Sequence, residues 1–213
     1  MNISDEVRFL EEAFDVLNDK YFESALRKIA ITIQSIPRVH GHFTPWDSWD
    51  DSGQKNKEIN IGAESLSRPV SNIVATLMHE MVHYYCHING IKDTSRGNTY
   101  HNKRIKEECE KRALLINAAT GIGYSVTRST QELISLVDEM GWNNRVKLYR
   151  KRLNGKEQGI DIFATPGEDG EKVKKKSSTR KYICPKCGMS VRATKVVRIA
   201  YIECDNTQMQ EVV

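Results

Sequence analysis

The chain has no apolar run of about 18 residues, which argues against a membrane-spanning helix. Its acidic opening, MNISDEVRFLEE, lacks the basic flank and apolar stretch of a secretory signal. The expectation is a soluble, cytoplasmic protein with no membrane partner. Cysteine is scarce, with 5 in 213 residues, and an odd number clustered at one end is unlike a disulfide framework. Cys86 and Cys109 stand alone in helical patterns and read as small buried hydrophobes. Cys184, Cys187 and Cys204 crowd into the last thirty residues, where thiolates at short spacing read as metal ligands in a reducing compartment.

A dominant charge is also missing, since 32 Lys and Arg face 28 Asp and Glu. The balance is uneven along the chain. Residues 145–181 carry 12 basic against 5 acidic side chains, and residues 1–144 carry 16 against 20. Such a basic stretch is either a solvated linker or an attraction to a polyanion such as nucleic acid. The length fits one ordinary domain plus a small module, and 39% hydrophobic residues are enough to build a core.

Residues 5–22 place Val7, Leu10, Phe14, Leu17 and Tyr21 at helical spacing. Short runs at 28–33, 41–46 and 58–61, rich in Ile, Phe and Trp, predict three strands. Ser67 and Pro69 then predict a helix start, and its apolar residues run on to a stop near Asn89 and Gly90. After a polar loop at 91–99, the spacing of Ile105, Cys109, Arg112, Ala113 and Ile116 predicts a second long helix over 100–119. A further short helix is expected over 130–140. Gly, Lys, Ser and Pro dominate residues 154–180, as in a linker. The organisation predicted is a domain over 1–152, a basic linker over 153–180 and a small unit over 181–213.

His79-Glu80-Met81-Val82-His83 lies inside the first of the two long helices, so the two histidines project from one face about a turn apart and can chelate one ion. Neutral imidazoles suit zinc, and Glu80 is placed to act as general base toward a water that the metal activates. A catalytic zinc needs a third protein ligand. His87 continues the series but lies about 12 Å of helical rise from His79, so it is set aside. His101 is taken as the third ligand, with a carboxylate among Glu107, Glu108 and Glu110 ranked below it. The metzincin extension would need glycine at position 86 and histidine at 89, where the chain has Cys86 and Asn89.

Over residues 58–114 the strings EINI, LSRPVSNIVATLMHEMVHYYC and GIKDTSRGNTYHNKRIKEECEKRAL resemble the SprT-like domain, which is related to Spartan-type proteases. The resemblance implies an α+β fold of the minimal zincin type, with His79, His83 and His101 on zinc and Glu80 catalytic. Relatives usually carry glycines beside the third histidine, where this chain has Tyr100 and Asn102. Past the linker, SSTRKYICPKCG and VRATK are similar to the zinc ribbon attached to many bacterial and phage-borne SprT-like proteins. This implies a second, structural zinc on Cys184, Cys187 and Cys204. A full ribbon would place a cysteine at position 207, where Thr207 stands, leaving Asp205, water or a remote group to complete the tetrahedron.

The function expected is a zinc-dependent metallopeptidase acting on protein or peptide, with nucleic acid a partner through residues 172–198. The rival is a nucleic-acid-associated zinc-binding protein with weak or no proteolysis. His40 and His42 are expected on a polar strand face, Trp46 and Trp49 in packing. Tyr84, Tyr85 and Tyr100 lie close to the motif and are left outside the site.

Overall fold

In helix α1 (Ile3–Phe22) the residues Phe9, Leu10, Ala13, Phe14 and Leu17 recur at helical spacing and all are buried, so one face of the helix docks on the core. The computed structural model describes residues 2–37, 39–151 and 180–212. The chain divides into two units, Met1–Thr165 and Pro166–Val213. The linker expected over 153–180 lies outside the described residues except for Arg180. The architecture is α+β, and no helix among the described residues is long and apolar enough to cross a membrane.

Strands β1 (Ala30–Gln34), β2 (Gly41–Asp51) and β3 (Gln54–Gly62) form a sheet in the order β1-β3-β2, with β1 parallel and β2 antiparallel to β3. Helix α2 (Val70–Ile88) follows, with Pro69 immediately before it, where its lack of an N–H costs nothing. Ile73, Leu77, Met78 and Met81 of α2 are fully buried, each contributing about 1.5–3 kcal/mol by leaving water. A second sheet, in the order β4-β5-β7-β6, is made of β4 (Thr94–Ser95), β5 (Tyr100–His101), β6 (Leu114–Ala119) and β7 (Gly123–Ser129). Helices α3 (Lys103–Glu110) and α4 (Gln131–Glu139) pack on α2 with α1.

The long helix expected over 100–119 is a correction: that stretch is β5, α3 and β6. The Asn102 side chain accepts the Arg104 N–H and starts α3 only there. Ala113 takes a left-handed conformation (φ 54°), which ends helical propagation. Beyond it Leu114 and Ile116 are buried and Leu115 is exposed, a period of two that belongs to a strand. β7 was not foreseen at all. Trp46 and Trp49 are corrected too, being 67% and 46% exposed on the part of β2 beyond Thr44, where the register with β3 shifts.

In the second unit β8 (Arg180–Ile183) lies between β9 (Ser190–Ala193) and β12 (Gln210–Val212), and β10 (Ala200–Tyr201) pairs with β11 (Thr207–Gln208). β8 takes in Arg180, one residue earlier than the boundary expected. Among the described residues of this unit the buried core is Tyr182, Cys184 and Met209, with Ala193, Ile199, Tyr201 and Cys204 packed against it.

Candidate metal centres

α2 is covered by α1, α3, α4, β2 and β7, so the polar side chains near its middle are enclosed and must find partners. His79 and His83 share one face, with ring centroids 4.8 Å apart. His101 reaches them from β5. That short strand is fixed from both sides: the Asn102 N–H donates to the Asp93 carbonyl at 3.0 Å, and the His101 N–H to the Ile122 carbonyl at 3.0 Å. Gly123, at φ +72°, makes the close approach possible, because a Cβ there would lie 2.0 Å from the His101 carbonyl oxygen.

The His83 Nε2 lies 3.2 Å from the His79 Nε2 and 3.0 Å from the His101 Nε2. A tetrahedral ion ligated at about 2.0–2.1 Å spaces its ligand nitrogens about 3.3–3.4 Å apart, so the three rings fit one ion. The other ring nitrogens of α2 are held from outside. Asp93 Oδ2 meets His83 Nδ1 at 2.5 Å, and Thr127 Oγ1 meets His79 Nδ1 at 2.9 Å, with Cys109 Sγ at 3.8 Å. Such contacts fix ring orientation and leave the Nε2 atoms turned toward one another. His101 Nδ1 is buried without a hydrogen-bond partner. Burial, reinforced by the neighbouring histidines, holds His79 well below its ordinary pKa and His101 down to about 4, which favours the neutral form a ligand needs. Burial opposes protonation of His83 as well, but the bond to Asp93 and the nearby Glu80 outweigh it and raise that ring.

Glu80 lies between the two α2 histidines in sequence and stands outside the cluster of three. Its burial pushes the carboxyl up to about 7, against the pull of His83 and of the Phe43 backbone N–H. Gly41 lets β2 lie against it, since a Cβ at that position would meet Thr76 Cγ2 at 3.0 Å and Glu80 Cγ at 3.2 Å. The histidines and Glu80 open on a cleft of about 790 Å³ walled by Phe43, Pro45, Lys92 and Ile122 among others. His87, set aside as a ligand, lines the cleft one turn further on with its ring 5.7 Å from Phe43. His40 and His42 line it too, His40 with Nδ1 2.7 Å from Ser65 Oγ. Glu108 is taken by Lys111 and Arg112, and Glu110 by Lys106. Cys86 and Cys109 are both fully buried, and burial raises both thiols.

Asp93 and Thr127 are the residues that sequence reasoning missed. Asp93 sits in the polar loop after α2 without a motif around it, and Thr127 belongs to the unforeseen strand. Replacing Asp93 by Ala is expected to weaken metal retention about 10–100-fold. Competition against a chelator of known affinity measures it, and retention equal to the parent would show that the carboxylate does not hold the ring.

In the second unit one ligand atom each from Cys184, Cys187 and Cys204 lies within 4.8 Å of the others. The Gly188 N–H donates to the Cys184 carbonyl at 2.9 Å, and the Cys184 N–H to Met189 at 2.8 Å, with Gly188 at φ +77°. The Lys186 and Cys187 N–H groups donate to the Cys184 sulfur. The three thiols thus form a second group able to hold a metal. Of the basic residues expected to meet nucleic acid, Arg192, Lys195 and Arg198 are exposed, Arg180 pairs with Glu211 at 3.1 Å, and residues 172–179 lie outside the described residues. Compared with known protein families, with characterised proteins and with solved structures, the chain has no match.

Proposed function

We propose that the chain is a SprT-like zinc metallopeptidase of the minimal zincin type. The observation that carries this reading is the convergence of three histidine Nε2 atoms at one cleft, with a buried carboxylate beside them that belongs to no ligand set. Three neutral imidazoles suit zinc and leave it a fourth position, a pattern of catalytic and not of structural sites. Zinc bound there would supply a Lewis acid that polarises a carbonyl and makes water a nucleophile near neutral pH.

The chain's own residues do the rest. His79, His83 and His101 would hold the ion, and Asp93 and Thr127 keep two of the rings in the ligating orientation. Glu80 takes the proton from the attacking water and delivers it to the leaving amine. The cleft walls position the scissile bond and limit access of bulk water. The geometry and donor set support metal-assisted hydrolysis, and the resemblance to the SprT-like domain supports peptide as the substrate class. Glutamine in place of Glu80, with bound metal and cleavage of an unfolded protein read on the same sample, tests the proposal: metal kept and cleavage lost supports it.

The rival, a zinc protein of nucleic-acid complexes with little proteolysis, gives Glu80 no task. The basic excess over 145–181 remains a reason to propose nucleic acid as a partner of the peptidase. Attraction of that origin releases counterions, so it weakens steeply with salt and depends little on base sequence.

A further inference from the structure

The two turns that carry the thiols of the C-terminal unit have the same spacing. Cys187 stands third after Cys184, and Thr207 stands third after Cys204. In the second turn Asp205 and Asn206 take left-handed conformations (φ 52° and 53°) and return the chain to β11. Thr207 therefore holds the place in its turn that Cys187 holds in the first. Its hydroxyl donates to the Cys204 carbonyl, which commits its one proton within the turn.

Asp205 does not fill the gap. Its side chain is 90% exposed and is held by Lys186 Nζ at 2.9 Å. Among the described residues no fourth Cys, His, Asp or Glu joins the three thiols. Cys187 is exposed, so the group opens toward solvent.

We propose that this unit is a three-thiolate metal site whose fourth position takes a thiolate from outside the chain, supplied by a small soluble thiol. Three sulfurs make the donor set soft, and a soft ion prefers sulfur to water at the remaining corner. The incoming thiol gives its proton to solvent as its sulfur binds, and no electron is transferred. The inference stands on the second unit alone and is independent of any hydrolytic activity of the first.

Cobalt(II) in place of zinc tests it, because sulfur-to-cobalt charge-transfer absorption grows with the number of thiolates, and the chain with Cys184, Cys187 and Cys204 replaced by Ser reports any thiol taken up at the open corner of the histidine site. The full chain, kept reduced by a phosphine, is loaded with cobalt and titrated with 2-mercaptoethanol at millimolar concentration, and the rise of the Ser variant under the same titration is subtracted. A saturable rise of about one third, from three thiolates to four, is expected. Thr207→Cys should begin near the four-thiolate level and gain nothing on titration. An unchanged parent spectrum, or a parent without charge-transfer absorption, overturns the proposal. So does a rise that comes without added thiol as the chain is concentrated and sediments as a dimer, which would assign the fourth sulfur to a second copy. A Thr207→Cys protein that folds but starts at the parent level would remove Thr207 from the fourth corner.

Discussion

Glutamine at position 80 is expected to leave the metal in place and to reduce hydrolysis about 10²–10⁴-fold, the usual worth of a positioned general base. Glu80 and glutamine have nearly the same shape, which matters at a position packed against Gly41. The amide can still accept the Phe43 N–H that the carboxylate accepts, so the fold has no reason to change. It cannot take a proton from water. Because Glu80 lies outside the ligand cluster, the ion should be retained at the parent level. Cleavage as fast as the parent's would show that another group is the base. Loss of metal on this substitution would instead make the carboxylate a ligand.

His101→Ala is expected to weaken metal retention at the histidine site by more than about 10²-fold, beyond the effect of losing an outer contact. His87→Ala should leave it nearly intact. The contrast comes from geometry: the His101 Nε2 lies 3.0 Å from that of His83, while His87 stacks near Phe43 on the cleft wall. The clasp on β5 is made by the His101 backbone and by Gly123, so alanine keeps it. Replacing Cys184, Cys187 and Cys204 by Ser in the same chain removes the second metal group from the measurement. Equal retention in His101→Ala and the parent, or loss in His87→Ala, would reverse the assignment.

How much of this was readable in advance depended on the range of each contact. His79, Glu80 and His83 lie within five residues on one helix, and helical geometry alone puts the two imidazoles together. His101 was found as a residue but placed on the wrong element. Ile105, Cys109 and Ile116 mimic one helical face, yet Ala113 turns left-handed between the second and third of them and the chain goes on as a strand. Asp93 and Thr127 meet their histidines across 10 and 48 residues of sequence, and no local pattern announces either partner. Trp46 and Trp49 were misjudged because strand period and aromatic content predict burial only where another layer covers the strand, and β2 runs past that cover. The cysteine group, by contrast, is set by two tight turns, and its missing fourth thiol was legible from the resemblance to a zinc ribbon, which would place a cysteine where Thr207 stands.

The most direct measurement follows metal and hydrolysis together in the chain whose Cys184, Cys187 and Cys204 are Ser. Metal is stripped with a chelator, zinc is returned in steps, and bound zinc and cleavage of an unfolded protein are read on each sample. The account predicts no cleavage in the stripped protein and a return of cleavage in proportion to zinc, complete at one ion per chain. Cleavage that persists without metal, or one zinc bound through the histidines with no cleavage restored, would contradict it.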